Sequence, residues 1–300
     1  MQKKVISLAI AGIMLSPLAV LADDAAPAAP ASPWAFTVGA VSDYLYRGIS
    51  QTHGKPAVQG GATYTDPSGL YANLWGSNIT WVKDALGKGS TEIDASAGYK
   101  NSFGDSKLGY DVGYYTYNYP GYGATNVATA NGSFIGNPNT QELYGALNYD
   151  LGNNNSLQVK YSYATSAYFM GWYNINTAQN SKGSGYLEFN GSFDMGNGWG
   201  LTAHAGHQSV ANWGYANYSD VNVGVTKDVG FGTVGFLIST TNAKDGGCDA
   251  TTNAVSQGMV SPYCWGNSGA NVTNGAYTQP TGGYRNAAKS TAVLSFNKTF

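Results

Sequence analysis

The sequence predicts an all-β fold, a closed transmembrane antiparallel β-barrel of about 12 strands with both termini periplasmic. Three observations lead there. An export segment precedes the fold. Apolar and polar side chains alternate with period two over most of the chain. Short connections alternate with long ones. After the export segment, no stretch is long and apolar enough for a transmembrane helix.

The export segment begins with a short positive region, Lys3 and Lys4. Val5 to Val20 is apolar apart from Ser7, Ser16 and Pro17, and Val20-Leu21-Ala22 precedes a cut between Ala22 and Asp23. Residues 1–22 read as a signal peptide. A lone membrane helix, the alternative, would need a longer run and no polar Ala/Pro segment directly after it. Residues 23–34 read as a flexible leader. Residues 35–300 read as one barrel, with no second domain.

The chain holds 41 Gly, 23 Tyr and 7 Trp, with 11% charged residues. Without Lys3 and Lys4, 13 basic residues face 17 acidic ones, a net of about −4. No cluster of positive charge marks a nucleic-acid footprint. A charge-poor chain suits a soluble β-sandwich or a barrel whose outer belt meets lipid. Composition alone does not separate these.

The alternation is clearest over Thr91 to Lys100. Thr91, Ile93, Ala95, Ala97 and Tyr99 point one way, and Glu92, Asp94, Ser96, Gly98 and Lys100 the other. Leu108, Tyr110, Val112 and Tyr114 likewise oppose Lys107, Gly109, Asp111 and Gly113. Leu157, Val159, Tyr161 and Tyr163 oppose Gln158, Lys160, Ser162 and Ala164. Leu187, Phe189 and Phe193 oppose Glu188, Asn190 and Ser192, and Val221, Val223 and Val225 oppose Asp220, Asn222 and Gly224. Twelve segments follow this rhythm, near 35–47, 56–65, 69–79, 90–100, 106–117, 140–150, 155–164, 185–193, 199–208, 218–227, 232–240 and 290–300. Most have the length that a tilted strand needs to cross a bilayer. The second is Gly-rich, and in 69–79 Tyr71 and Trp75 do not mark one face cleanly.

Tight-turn compositions join these strands at Asp66-Pro67-Ser68, Asn101 to Asp105, Leu151 to Asn154, Asp194 to Gly198 and Asp228 to Phe231. The connections between them are longer, with 118–139, 165–184 and 241–289 standing out. Such an alternation is the layout of a membrane barrel with short periplasmic turns and long outer loops. Closure follows from the backbone, because an unpaired N–H or C=O in hydrocarbon costs several kcal/mol and only an edgeless sheet avoids it. The final strand ends at Phe300, on the side of Leu294 and Phe296. A terminal aromatic there looks like an export and assembly signal, although Lys298 shares the parity.

At this point the residues resemble a family. Arg47 to Thr52 reads RGISQT, Pro56 to Gly61 PAVQGG, Gly69 to Asn78 GLYANLWGSN, Glu92 to Tyr99 EIDASAGY, Tyr110 to Gly121 YDVGYYTYNYPG and Glu142 to Leu147 ELYGAL. In this order, over about residues 36–163, they resemble the proteobacterial TorF-type porin-like family, long treated as a conserved hypothetical group. Beyond that, the likeness rests on strand rhythm and the terminal KTF, and 241–289 departs from the family pattern. The resemblance implies an outer-membrane barrel and a pore, with no agreed substrate and no catalytic residues. Fold alone does not set function.

The less apolar parity assigns Asp43, Arg47, Glu92, Asp94, Lys100, Lys107, Asp111, Glu142, Asp150, Lys160 and Glu188 to the lumen or its mouths. A basic residue facing mid-membrane lipid would cost about 2–4 kcal/mol. Two readings of these charges remain: a selectivity filter, or a network that plugs and stiffens a narrow barrel. Twelve strands lie between the filled eight-stranded barrel and the sixteen-stranded aqueous channel. Arg47, where the first strand meets its loop, is expected to pair with an interior carboxylate and fix the loop, or to meet an anionic solute at the mouth.

His207 and Ser209 share a parity near the outer end of the ninth strand. They resemble the outward His-x-Ser placement in outer-membrane phospholipase A, whose chemistry needs a third polar group orienting the histidine; Asn212, Asn217 and Ser219 lie nearby in sequence, none is required there, and no further motif of that enzyme appears. No catalytic, cofactor or metal residues are assigned, since His204 faces the other way and His53 sits in a loop. The many tyrosines and tryptophans are expected in interfacial girdles. Cys248 and Cys264 are expected to pair as one disulfide in loop 241–289, with two free thiols as the alternative.

The functional expectation is a bacterial outer-membrane channel for passive passage of small polar solutes or ions. The alternatives are a surface-interaction barrel acting through its outer loops and, more weakly, a lipid hydrolase. Expected partners are outer-membrane lipid, lipopolysaccharide, the barrel-assembly machinery and a small polar solute or ion, with no nucleic acid and no cofactor.

Overall fold

The protein is seen in a computed structural model that describes residues 32–123, 127–128, 133–174, 178–244, 262–266, 271–273, 276–278 and 284–300. Residues 1–22, expected to be a signal peptide, and Cys248 lie outside these residues. Twelve strands close into a barrel. They are β1 (Trp34–Val41), β2 (Ala57–Thr65), β3 (Leu70–Asn78), β4 (Thr91–Ser102), β5 (Leu108–Asn118), β6 (Thr140–Gly152), β7 (Asn155–Ala164), β8 (Gly185–Gly196), β9 (Trp199–Ser209), β10 (Tyr218–Asp228), β11 (Thr233–Thr241) and β12 (Thr291–Thr299). Each pairs antiparallel with its neighbour in sequence, and β1 closes on β12 from Thr37↔Thr299 to Val41↔Ser295. β1 begins at Trp34, within the stretch read as leader.

The alternation decides which way each strand faces. Leu74, Val112, Leu143, Phe189, Val223, Ile238 and Leu294 form an exposed apolar surface, while Glu92, Asp94, Glu142, Glu188 and Asp220 on the opposite parity are buried. Outward apolar side chains around an edgeless sheet are what hydrocarbon requires. In β3 the ambiguity resolves, with Leu70 and Leu74 outward and Trp75 and Ser77 buried inward. No described helix is long and apolar enough to cross a membrane, which says nothing against crossing by strands.

The short turns are built from residues that accept positive φ. Asn153 and Asn154 have φ of 53° and 59°, and Asn197 and Gly198 have 53° and 73°. Two such residues in succession give the hairpin twist that matches the strands. In the first short turn, Asp66 Oδ1 accepts from the Ser68 N–H at 2.8 Å. Hydrogen bonding from the Ser68 side chain, with that backbone N–H, holds the Asp66 carboxyl below the usual range. Glycines inside the wall have a different task. A Cβ on Gly98 would lie 2.5 Å from the Tyr71 hydroxyl, and one on Gly113 would lie 2.5 Å from the Tyr144 hydroxyl. These glycines let inward tyrosines lie across the neighbouring strand.

The first strand is shorter than 35–47. The chain leaves the wall after Val41 and turns into the barrel, because Asp43 gathers donors from beyond the turn. Ser50 Oγ and Thr52 Oγ1 reach Asp43 Oδ1 at 2.6 and 2.9 Å, and the Gly54 N–H at 3.2 Å. Inside, Leu45–Tyr46 pairs with Ile49–Ser50 around Arg47-Gly48, whose φ values are 49° and 77°. A short helix, α1 (Trp81–Leu86), ends at Gly87 with φ of 83° and packs the buried Trp81, Val82 and Leu86 beside this hairpin.

The long connections pair with one another. Ser133–Ile135 runs antiparallel to Trp172–Asn174, and Val127–Ala128 and Gln179–Asn180 complete a four-stranded sheet. Loop 241–289, which shows no clear strand pattern in sequence, contains paired Cys264–Gly266 with Tyr284–Asn286 and Asn271–Thr273 with Ala276–Thr278. Strands of three residues are too short for alternation to show in sequence.

A charged lumen crossed by an inward hairpin: the candidate functional site

The hairpin tip places Arg47 against the inner wall. Its Nη2 pairs with Glu142 Oε2 of β6 at 2.7 Å and its Nη1 donates to Gln208 Oε1 of β9 at 2.7 Å. The guanidinium also lies over the Tyr186 ring at 4.2 Å and the Tyr46 ring at 4.8 Å. Arg47 therefore ties three walls of the barrel to the loop. Gly48 is required beneath it, since a Cβ there would lie 2.7 Å from Asp220 Cβ. Burial pushes the Asp43 carboxyl at the hairpin base upward, against the hydrogen bonds from Ser50 and Thr52 that pull it down.

On one side of the hairpin stand Glu92 and Asp94 of β4, with phenols as donors. Tyr119 Oη donates to Glu92 Oε1 at 3.1 Å and Tyr115 Oη to Asp94 Oδ2 at 3.2 Å. Tyr117 Oη donates to Glu142 Oε2 at 3.2 Å. On the other side, Lys160 Nζ lies 3.5 Å from Glu188 Oε1, and Tyr186 Oη donates to Asp220 Oδ1 at 2.8 Å. His204 Nε2 lies 3.0 Å from Asp220 Oδ2, and its Nδ1 meets Asn190 Oδ1 at 2.7 Å. Between the two sides is a cavity of about 40 Å³ bordered by Tyr44, Arg47, Asp94, Tyr115, Lys160 and Glu188.

Toward the short-turn end, Tyr71 Oη donates to Asp111 Oδ1 at 2.7 Å and touches the Tyr144 hydroxyl. Lys100 stands opposite Asp111 in the ladder and over the Tyr71 ring. These groups are half-buried. Of the residues expected at the lumen or its mouths, Asp43, Arg47, Glu92, Asp94, Glu142 and Glu188 are buried within it, and Lys100, Asp111 and Lys160 are half-buried. Lys107 is exposed in the turn before β5, and Asp150 caps its own turn through the Gly152 N–H at 2.7 Å.

The sequence reading missed the inner tyrosines. Tyr114, Tyr149, Tyr161 and Tyr163 are exposed on the outer surface, as girdle residues would be, but Tyr44, Tyr115, Tyr117, Tyr119, Tyr186 and Tyr218 are buried. Their signal was parity, for Tyr115 and Tyr117 continue the Asp111 face. His207 faces outward and its Nδ1 meets Ser219 Oγ at 2.9 Å. Ser209, its expected companion, is exposed. Among the described residues no cluster of His, Cys, Asp and Glu is arranged to hold a metal ion. Cys264 is buried and is not a free thiol, while Cys248 lies outside the described residues.

The closed barrel with its outward apolar belt is that of a bacterial outer-membrane protein, and its polar interior is consistent with channel-type function in general. Comparison with curated proteins finds no match. Among solved structures, the chain is similar to the KdgM porin, at 6% identity and a TM-score of 0.48 over 89% of this chain and 99% of that one. It is similar to the NanC porin at 12% identity and 0.48, over 89% and 98%. An outer membrane channel from Pseudomonas putida F1 gives 10% and 0.45, over 92% and 100%. Likenesses this distant set no function. The profile of the family described as "Bacterial protein of unknown function (Gcw_chp)" matches residues 27–260, well over half of the chain, and the chain belongs to that family.

Proposed function

We propose that the protein is a narrow outer-membrane channel for passive passage of small polar solutes or ions, of the TorF-type porin-like group. The observation that carries this is the interior parity. Charged and hydroxyl groups line the lumen from Glu92 to Lys100 along one strand, and a cavity lies near Arg47. In this reading residues 1–22 are a signal peptide and both termini lie on the periplasmic side with the short turns. The inward hairpin sets the narrowest point. Planar-bilayer recording of the refolded full-length barrel is the test. Small stepwise conductance is expected, and its absence across a range of salts would sink the reading.

A second reading has its own support. The hairpin carries Arg47 onto the inner wall, and two long connections join in a sheet of their own. A surface-interaction barrel would need no open path. A silent bilayer together with partner capture that is lost on deleting 118–139 would favour it.

A further inference from the structure

The two ends of the barrel carry opposite surface charge. Each short connection holds or adjoins an aspartate: Asp66, Asp105, Asp150, Asp194 and Asp228. At the long-connection end the exposed charges are lysines. Lys244 follows β11, Lys289 precedes β12, Lys55 precedes β2, Lys83 lies in α1 between β3 and β4, and Lys88 precedes β4. Because β11, β12, β1, β2, β3 and β4 are successive in the wall, these lysines lie along one flank of the rim. Among the described residues no exposed acid shares that end, since Asp43, Asp84, Glu92 and Glu142 are buried; Asp245 and Asp249 lie outside them. None of these lysines is within ion-pair distance of a described carboxylate.

The loops that bear them are pinned to one another. The Ser50 N–H donates to the Ala287 carbonyl at 2.8 Å, the Thr80 N–H donates to the Gln51 carbonyl at 2.8 Å, and the Thr240 and Ser290 hydroxyls meet at 2.7 Å. The strands beneath present Val58, Ile93, Ile238 and Leu294 outward in the apolar belt. A lysine at the edge of such a belt lays its stem along the apolar surface and holds its ammonium at headgroup level. Neighbouring strands stand about 4.8 Å apart, so the arc from β11 to β4 extends roughly 24 Å. That is longer than one small anion and matches a row of headgroups. Like charges held side by side without acids repel each other, and an anionic surface relieves that repulsion.

We propose that this flank of the rim, from Lys244 round to Lys88, is a docking surface for the phosphate groups of anionic lipid headgroups in the leaflet at the long-connection end. Docking there needs no open path; with the short turns on the periplasmic side, as proposed above, the leaflet is the outer one. Titration of the refolded full-length protein in zwitterionic detergent tests it. The probes are bisphosphorylated lipid A, its dephosphorylated form, and the soluble bisphosphorylated disaccharide without acyl chains. Bisphosphorylated lipid A should bind saturably and more weakly as salt rises, and the other two at least about tenfold more weakly. Lys55→Gln, Lys83→Gln, Lys88→Gln, Lys244→Gln and Lys289→Gln together, shown folded by heat-modifiable mobility, should weaken lipid A at least about tenfold, and arginine at the same positions should retain it. Lys182→Gln with Lys107→Gln, on the opposite flank and in a short turn, should change binding by less than about twofold. No lipid A binding, equal binding of either other probe, unchanged binding in the folded glutamine variant, or an equal loss in the Lys182 and Lys107 control overturns the surface. If the glutamine variant does not fold, the arginine variant and the three probes on the unaltered protein decide. Conductance of the same samples separates the two proposals. Conductance without lipid A binding overturns only the docking surface, and lipid A binding without conductance overturns only the channel.

Discussion

Replacing Arg47 by alanine should loosen the hairpin and widen the path while leaving the barrel closed. Arg47 and Glu142 are 7% and 2% exposed in their side chains, so their 2.7 Å contact is shielded from water and salt. Truncating one partner of such a pair leaves the other buried and uncompensated, at a cost of about 3–5 kcal/mol. Part of this is offset, because Tyr117 still donates to Glu142. The loss falls on residues 42–56, because the strand ladder of the barrel is untouched. Arg47→Ala should therefore raise single-channel conductance, expose 42–56 to proteolysis and keep heat-modifiable mobility. Arg47→Ala with Glu142→Gln removes the stranded charge and should recover stability, giving a coupling energy of about 1–3 kcal/mol in a double-mutant cycle by urea unfolding. The reasoning fails if conductance stays at the unaltered level and the coupling is below about 0.5 kcal/mol.

Gly113→Ala should destabilise the barrel by about 1–3 kcal/mol, because its Cβ would lie 2.5 Å from Tyr144 Oη and 2.8 Å from the Ala97 carbonyl. Gly145→Ala, with nothing within 4 Å, should stay within about 0.5 kcal/mol, and urea titration of both compares them. Glu92 and Asp94 stand without a basic partner, so a conducting barrel should prefer cations mildly; an anion-preferring reversal potential in a salt gradient would contradict this. Cys248→Ser should loosen loop 241–289 to protease while the barrel remains heat-modifiable. A ring of about seventeen residues is worth roughly 3 kcal/mol to the loop alone. Intact mass with alkylation of non-reduced protein checks the bond, and two freely alkylated thiols would disprove it.

The period-two alternation determined the barrel by itself. Hydrocarbon outside and water or charge inside impose opposite chemistry on successive residues, so Ile93 against Glu92 or Val223 against Asn222 declares a face without any long-range information. The short turns were legible for a related reason, since Asn153-Asn154 and Asn197-Gly198 carry their own backbone preference. The strand count, the closure and the charged inner parity all followed from these local signals. Local sequence did not determine where a loop goes once it leaves the wall. Asp43 to Arg47 continues the strand pattern in sequence, yet the chain turns inward at Ser42. Arg47 finds Glu142 95 residues away and Gln208 161 residues away. Nothing near Arg47 in the chain encodes those partners, and only the closed barrel brings β6 and β9 to face the same hairpin. The inner tyrosines show the same division. Parity said that Tyr115 and Tyr117 face inward with Asp111, but closure alone put Tyr115 on Asp94 and Tyr117 on Glu142. The tertiary structure decided the pairing because, in a lumen that excludes most water, each buried charge must be satisfied by whatever group another strand presents at its level.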